Sequence, residues 1–120
     1  MTEYSRGDVV LVSFIFTDET GVKQRPTVII SSDVYHQQRQ EVIISAITSK
    51  IGRILVGDHL INDWQEAGLL FPSVATGIIR TIKQSMITHK LGIMSRDDLK
   101  EIDKQLSIAL GLGGKINKRL

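Results

Sequence analysis

Residues 23–32, KQRPTVIISS, and residues 42–50, VIISAITSK, are the two stretches that decide the fold of this 120-residue chain. Each contains a run of β-branched and apolar residues, which favours a buried β-strand. If the two strands are antiparallel neighbours, the start of the first lies beside the end of the second, and Arg25 faces Thr48 and Ser49. A cation beside two hydroxyl groups at a sheet edge suits a phosphodiester ligand better than a hydrophobic core.

The first of these strands contains a proline, which limits where it can lie in a sheet. Pro26 has no backbone N–H to donate to a ladder, so we expect it among the first residues of a strand over 25–32, or at a sheet edge. Residues 33–40 are polar and rich in glutamine, and they read as a loop. The second strand, residues 42–48, is apolar almost throughout, which predicts burial on both of its faces.

The sequence on either side predicts further strands and one helix. A β-branched run over residues 8–14 predicts a strand. Gly77 predicts a bulge within a later strand, at residues 69–82. Ser95 is a good helix N-cap, and apolar residues follow it at helical spacing as far as a glycine stop at Gly111. The other predicted elements are one or two short strands in residues 52–61, a helical turn at 62–68, a strand at 69–82 and a linker or strand at 89–94. We therefore expect a mainly β fold with a C-terminal helix, a small barrel or curled sheet, in one domain spanning residues 1–120.

The composition narrows the class of protein. Apolar residues make up 42% of the chain and charged residues 23%, which favours a folded domain over a disordered one. The chain has no cysteine, which excludes disulfides, thiol nucleophiles and cysteine-based zinc sites. The N-terminus does not read as a secretory signal, and no apolar run approaches the roughly 20 residues that span a bilayer, so we expect a cytoplasmic protein without a membrane partner. A net charge of +2 neither requires nor excludes a nucleic-acid partner.

The polar residues at the proposed sheet edge are candidates for a phosphate site, and each also has an ordinary structural explanation. Arg25 suits a phosphate because its planar guanidinium grips two oxygens and stays protonated; the alternative is an ion pair with Asp18 or Glu19. Thr48 and Ser49 are able to hydrogen-bond a phosphate oxygen or a ribose hydroxyl, but hydroxyl residues also commonly end strands.

Other side chains are weaker candidates. Lys50 and Arg53 are placed to line a groove for RNA, although solvated cations are common on any surface. The histidines are scattered without the spacing of metal ligands, so we expect neither a metal site nor a cofactor; His36 lies in the loop beside the proposed site and is the histidine most worth mutating. Trp64 and Tyr35 are potential base-stacking residues, and for Trp64 a place in the core or a dimer contact is the alternative.

An ordered set of motifs across nearly the whole chain resembles the PemK/MazF family of toxins. The segments that carry the resemblance are RGDVVLV at 6–12, QRPTVIISS at 24–32, AITS at 46–49, AGLLFPSV at 67–74, RTI at 80–82, KLGIMS at 90–95 and ALGL at 109–112. The resemblance implies a compact barrel related to SH3-like folds and a homodimer. It also implies a sequence-specific, metal-independent endoribonuclease that cuts single-stranded RNA. An antitoxin segment would lie across the dimer and block the RNA groove, in a complex that binds DNA.

The resemblance also implies roles for particular residues. The arginine of the Arg-Pro motif and the threonine of the Ile-Thr-Ser motif belong to the family's active site, and they correspond to Arg25 and Thr48. Arg80 supports either the dimer or the RNA groove, and the sequence does not separate the two. Gly77 stands near where family members often carry an acidic residue, and Lys83 replaces the family's usual aspartate. No proton acceptor is therefore assigned.

Two other functions remain open. A gyrase-poisoning toxin of the same fold acts by binding a protein, without catalysis, and a pure binder of that kind has no need of the Arg25 and Thr48 grouping. A degenerate member of the family would bind RNA or an antitoxin without cutting, and the missing acidic residue keeps that alternative alive. Cleavage of RNA in a metal-free assay separates the first function from both.

Overall fold

The structure, a computed structural model, describes residues 3–15 and 21–113 of the chain. The strands within them are β1 (Asp8–Ile15), β2 (Val22–Ile29), β3 (Glu41–Thr48), β4 (His59–Leu60), β5 (Val74–Lys83) and β6 (Ile87–Ile93). The helices are α1 (Asp33–Gln38) and α2 (Arg96–Leu110), with a 3-10 turn at Gln84–Met86. The strands form one antiparallel sheet in the order β4-β5-β3-β2-β1-β6, which confirms the predicted mainly β fold with a C-terminal helix.

Side chains alternate between the two faces of a strand, and this alternation divides the buried apolar residues into two groups. The helix-side core packs with α2 and includes Val28, Ile47 and Leu106. The concave core occupies the other face and consists of Val10, Val12, Phe14, Ile29, Val42, Ile44, Ile82 and Ile87. Ile82 of β5 and Val12 of β1 share this core although β3 and β2 stand between their strands, so the sheet curls around the concave face.

Helix α2 begins and ends as its sequence predicts. The Ser95 hydroxyl accepts a hydrogen bond from the Asp98 backbone N–H at 3.1 Å, which satisfies one of the free donors of the first turn. Gly111 follows the last turn in the left-handed conformation, at φ 72°. Ile102 and Leu106 are buried on one side of the helix, so α2 covers the helix-side face of the sheet.

Two segments near the start of the chain differ from expectation. Residues 33–38, predicted as a loop, form α1, because the Ser32 hydroxyl caps the helix by accepting from the Tyr35 N–H at 3.2 Å. Strand β2 begins at Val22 and ends at Ile29, earlier at both ends than the predicted 25–32. Pro26 therefore lies within the strand, not at its start, at a point where β2 pairs with β1 through Leu11 and has no ladder to β3.

The later elements mostly match, with shifted ends. Within residues 52–61 only His59–Leu60 form a strand, and β5 begins at Val74 instead of residue 69. The turn at 62–68 contains a helical hydrogen bond, from the Ala67 N–H to the Asp63 carbonyl, and Gly68 follows at φ 84°. The segment expected as a linker or strand is part of the edge strand β6.

In the described part of the chain, neither helix combines the length and the apolar character that crossing a membrane requires.

Candidate active site

The sheet opens between β2 and β3 at one end. The two strands pair at Thr27 with Ala46 and at the two rungs beyond, as far as Ile29 with Ile44. In the other direction β2 continues to pair with β1 as far as Val22, and β3 continues to pair with β5 as far as Thr48. Pro26 is the first residue past the last rung, and it lacks the N–H that a further ladder would need. The outcome is a gap between two strands in the middle of the sheet.

Arg25 and Thr48 stand on opposite sides of this gap. If the β2–β3 register is continued for two residues past Thr27 and Ala46, Arg25 lies opposite Thr48, as the sequence predicts. Arg25 is also paired with Val12 of β1, and paired residues of an antiparallel ladder share a face. Val12 belongs to the concave core, so Arg25 lies on the concave face. Thr48 shares that face because it is two residues from Ala46, the partner of Thr27.

The hydrogen bonds that Arg25 and Thr48 make within the protein leave both side chains able to bind an anion. The Thr48 hydroxyl oxygen accepts from the Lys50 backbone N–H at 3.1 Å, so its own hydrogen is available to a ligand oxygen. Arg25 is exposed and donates to the carbonyl of Gln24 at 3.3 Å. Among residues 3–15 and 21–113, no carboxylate forms an ion pair with Arg25. The alternative partners, Asp18 and Glu19, lie outside the described residues.

Arg80 reaches the same face from β5. It is paired with Ile44 of β3, a member of the concave core, so its side chain projects on the concave side. Its guanidinium carbon lies 4.8 Å from the centroid of the Phe14 ring, which belongs to β1 on the other side of the curl. The curl therefore brings a second arginine to the face that carries Arg25.

Ser49, Lys50 and Arg53 are exposed in the segment that follows β3 at the same end as Thr48. This segment is attached to β5 through Asp58, whose carboxylate accepts from the N–H of Leu55 at 2.9 Å and from that of Gly77 at 2.8 Å. The three candidates are therefore close to Thr48 along the chain. No described contact joins their side chains to Arg25 or Thr48.

The comparisons with known proteins agree with this architecture. The family model for PemK-like, MazF-like toxins of type II toxin–antitoxin systems matches residues 5–110. The chain belongs to the PemK/MazF toxin family. The recognition made from the sequence motifs is thus confirmed.

Solved structures of MazF toxins share the fold of this family member at low sequence identity. An endoribonuclease from a mycobacterial species, in complex with its cognate antitoxin, is 19% identical with a TM-score of 0.73, over 91% of this chain and 96% of that one. A MazE–MazF structure from Deinococcus radiodurans is 16% identical with a TM-score of 0.78, over 94% and 100% of the two chains. The Mycobacterium tuberculosis toxin MazF-mt6 is 20% identical with a TM-score of 0.72, over 88% and 97%.

Gly77, near which the family resemblance led us to expect an acidic residue, is closely packed. A β-carbon on Gly77 would stand 3.2 Å from the α-carbon of Gly57, because the two backbones pack directly on each other. The predicted bulge is present here: the β3–β5 register shifts between Ser45 and Ile47, and the Thr76 hydroxyl donates to the Ala46 carbonyl at 2.7 Å. A carboxylate side chain at position 77 would therefore require the Gly57 segment to move.

His36 does not lie beside Arg25, contrary to the expectation. It belongs to α1, which follows the end of β2 far from Arg25, and it is buried. Its Nε2 lies 2.6 Å from the Ser31 hydroxyl and its Nδ1 lies 3.2 Å from the Tyr4 carbonyl. Since the carbonyl only accepts, Nδ1 carries the hydrogen and the Ser31 hydroxyl donates to Nε2. Both ring nitrogens are thus used within the fold.

The other aromatic and histidine candidates also have structural positions. Trp64 packs against the helix-side core. Tyr35 lies under Arg39, and the guanidinium carbon of Arg39 is 5.3 Å from the centroid of the Tyr35 ring.

His59 donates from Nε2 to the buried Asp98 carboxylate at 2.7 Å. Burial by itself raises the pKa of Asp98, but hydrogen bonds from His59, two backbone N–H groups and Ser95 outweigh it, so this pKa is lowered. Within the described ranges, no group of three or more His, Asp or Glu side chains is arranged to hold a metal ion.

Two residues shape this part of the molecule in a way that the sequence did not predict. Phe14 of β1 supports Arg80 of β5 although two strands stand between them, and only the alternation of Val10, Val12 and Phe14 could have placed its ring on the concave face. Pro26 was expected among the first residues of a strand or at a sheet edge, and its place just past the last rung of the β2–β3 ladder follows from pairing that no local pattern encodes.

Proposed function

We propose that this protein is a sequence-specific, metal-independent endoribonuclease that cuts single-stranded RNA and serves as the toxin of a toxin–antitoxin pair. One observation supports the proposal: Arg25 and Thr48 flank the gap between β2 and β3 on one face, and they fall opposite each other when the β2–β3 register is continued past its last rung. Membership of the PemK/MazF family and the likeness to solved endoribonucleases support it.

In the proposed reaction the 2′-hydroxyl of the RNA gives its proton to solvent and attacks the adjacent phosphorus. The bond to the 5′-oxygen of the next nucleotide breaks, that oxygen takes a proton from solvent and leaves as a 5′-hydroxyl, and a 2′,3′-cyclic phosphate remains. Arg25 binds the non-bridging oxygens and neutralises the charge that grows on them. Because an arginine stays protonated at any working pH, its role is anion binding and not proton abstraction. Thr48 donates its hydroxyl hydrogen to a phosphate oxygen, and the Lys50 N–H fixes the direction of that donation.

The proposed RNA path extends from this pair to the other exposed candidates. Ser49, Lys50 and Arg53 lie in the segment after β3 and would contact the backbone on one side. Arg80 adds a positive charge on the concave face, and the described carboxylates form no ion pair with it. Cations that bind phosphates, as proposed for Arg25, Lys50 and Arg53, make the affinity for RNA fall as the salt concentration rises.

The proposed partners are a second copy of the chain and a cognate antitoxin, in the cytoplasm. Large apolar side chains are exposed to an extent that is unusual for a free surface, including Val56 at 73%, Leu70 at 82% and Phe71 at 61%. A homodimer and an antitoxin segment lying across its RNA groove would cover such residues. Structures similar to this chain include complexes of an endoribonuclease and of MazF with their antitoxins. We extend the proposal to DNA binding by the antitoxin complex.

The test is incubation of the purified protein with a long single-stranded RNA in EDTA, with the fragment ends mapped. We expect cuts at a fixed short word, and a loss of about 100-fold or more in Arg25→Ala, since one missing anion-binding donor typically costs that much. Arg39→Ala, at the other end of β3, is the matched control and should cut normally.

Two results would contradict the proposal. Equal cutting by the wild type and by Arg25→Ala, with both folded by circular dichroism, would remove Arg25 from the site. If the wild type does not cut, the function is binding alone, and inhibition of gyrase by the same preparation would identify the protein-binding toxin. Binding of RNA without cutting would instead identify a degenerate family member.

A further inference from the structure

We propose that Arg80, held by the Phe14 ring, binds an RNA base by stacking, next to the phosphate that Arg25 binds. This inference rests on the proposed function. It adds a second contact between the protein and the RNA and says which part of the RNA is bound. The contact is with the flat face of a base and not with a phosphate.

Phe14 holds the Arg80 guanidinium in place. The guanidinium carbon lies 4.8 Å from the ring centroid, which is the geometry of a cation–π contact. Phe14 is itself fixed, because it is only 9% exposed and is part of the concave core. A planar cation supported on one side by a ring loses little further conformational freedom when a ligand contacts its other side.

The outer side of Arg80 is open. Arg80 is exposed, while Phe14 below it is not, so the guanidinium forms the surface at this point. In the described ranges, no carboxylate pairs with Arg80 and competes for it. Proteins that read single-stranded RNA stack unpaired bases on aromatic rings and on arginine guanidinium planes. Aromatic residues make up only 5% of the chain, and at this point of the concave face the Phe14 ring lies beneath the guanidinium, so Arg80 is the group that offers a flat surface to a base.

The position of Phe14 sets the distance to the proposed phosphate site. Val12 is paired with Arg25, and Phe14 follows two residues later on the same face. Diagonal neighbours of this kind have side chains about 7–8 Å apart, within reach of long side chains. A nucleotide whose phosphate is bound by Arg25 therefore has a base, its own or its neighbour's, within reach of Arg80.

Arg80→Lys is the informative variant because it keeps the positive charge and removes the planar group. Arg39→Lys is its matched control, because Arg39 also lies over an aromatic ring, that of Tyr35, but at the other end of β3. Phe14→Leu tests the support under Arg80 while keeping an apolar side chain in the core.

The measurement is fluorescence polarisation with two labelled probes of equal length. The first is a pool of random 12-nucleotide single strands with 2′-fluoro sugars, which cannot be cut by their own 2′-hydroxyl. The second is an abasic sugar–phosphate 12-mer with the same charge. We expect Arg80→Lys to bind the random pool about tenfold more weakly than wild type does. It should bind the abasic probe as tightly as wild type does, and the salt dependence of its affinity should be unchanged. Arg39→Lys should match wild type on both probes, and Phe14→Leu should follow Arg80→Lys.

Two outcomes would overturn the stacking contact alone. In the first, Arg80→Lys binds the random pool as wild type does while RNA is still cut. In the second, Arg80→Lys loses affinity equally for both probes, which would make Arg80 a phosphate contact. If wild type binds neither probe and cuts no RNA, the proposed function and this inference both fail.

Discussion

Replacing Asp98 with asparagine is expected to reduce the stability of the fold more than any other change of similar size in α2. The Asp98 side chain is fully buried and its carboxylate accepts four hydrogen bonds. They come from His59 Nε2 at 2.7 Å, the backbone N–H groups of Asn62 at 2.9 Å and Asp63 at 2.8 Å, and the Ser95 hydroxyl at 3.1 Å. This carboxylate thus joins α2 to β4 and to the turn at residues 62–68.

The expected loss follows from the number of donors around the carboxylate. Asparagine offers one oxygen in place of two. In either orientation its NH₂ group would face the backbone N–H of Asn62 or of Asp63, and a backbone N–H cannot accept a hydrogen bond. Breaking a buried charged pair by changing one partner typically costs about 3–5 kcal/mol. We therefore expect Asp98→Asn to lower the free energy of unfolding by about 3–5 kcal/mol, a large part of the 5–15 kcal/mol typical of a domain.

Urea denaturation followed by circular dichroism measures this loss as a lower midpoint with an unchanged slope. Asp97→Asn is the matched control, because Asp97 carries the same charge in the same helical turn and is exposed. If the two variants lose the same small amount, the reasoning about the Asp98 hydrogen bonds is wrong.

The Asp98 carboxylate also makes the free energy of unfolding depend on pH, and its contribution decreases as the pH falls. The folded state lowers the pKa of Asp98 from its ordinary value of 3.8 because of the four donors. The unfolded state therefore binds the proton more readily, so the contribution of Asp98 is complete above pH about 4 and is lost as the pH falls through the folded pKa. Between pH 5 and pH 2, wild type should lose more unfolding free energy than Asp98→Asn, and parallel curves would contradict the assignment.

Three further predictions concern single residues. Thr48→Val should lower the cleavage rate about 100-fold while Thr48→Ser keeps most of it, because only the hydroxyl hydrogen is used; equal rates in a fixed-time RNA assay would exclude that role. His36→Asn should lower the melting temperature but leave cleavage per folded molecule unchanged, since both ring nitrogens bond within the fold; a lost rate at full folding would return His36 to the site. Gly68→Ala should destabilise by at least about 2 kcal/mol in urea, because its β-carbon would stand 2.1 Å from the Leu91 carbonyl oxygen at a φ of 84°. Exposed Gly21→Ala, also at positive φ but with no neighbour within 4 Å, is its control.

The sequence predicted the features that depend on local pattern and simple register. The apolar runs of β2 and β3 identified two buried strands, and the structure confirms that these strands are antiparallel neighbours, which puts Arg25 and Thr48 at the same end of the pair. The ends of α2 were predictable from the sequence because the N-cap at Ser95 and the C-terminal glycine Gly111 each act within one helical turn. That Arg25 and Thr48 cut RNA stays a prediction.

The features that the sequence could not give depend on long-range contacts. The meeting of Phe14 and Arg80 requires a curl across four strands, and nothing near either residue encodes it. The start of β2 at Val22 carries no alternating pattern, because its first four residues are all exposed. Helix α1 is only six residues long, too short for a periodic signal, and was therefore read as a loop.

The hydrogen bond between His36 and the Tyr4 carbonyl has a practical consequence for anyone preparing shortened or tagged forms of this protein. The residues before β1 supply part of the interior: Tyr4 provides the acceptor for a buried ring, and Arg6 binds the Ile30 carbonyl at 3.0 Å and pairs with Asp103 of α2. Trimming the chain to the start of β1 would leave the His36 ring nitrogen without its acceptor and α2 without its ionic partner. A shortened or tagged form of the protein should therefore keep both Tyr4 and Arg6.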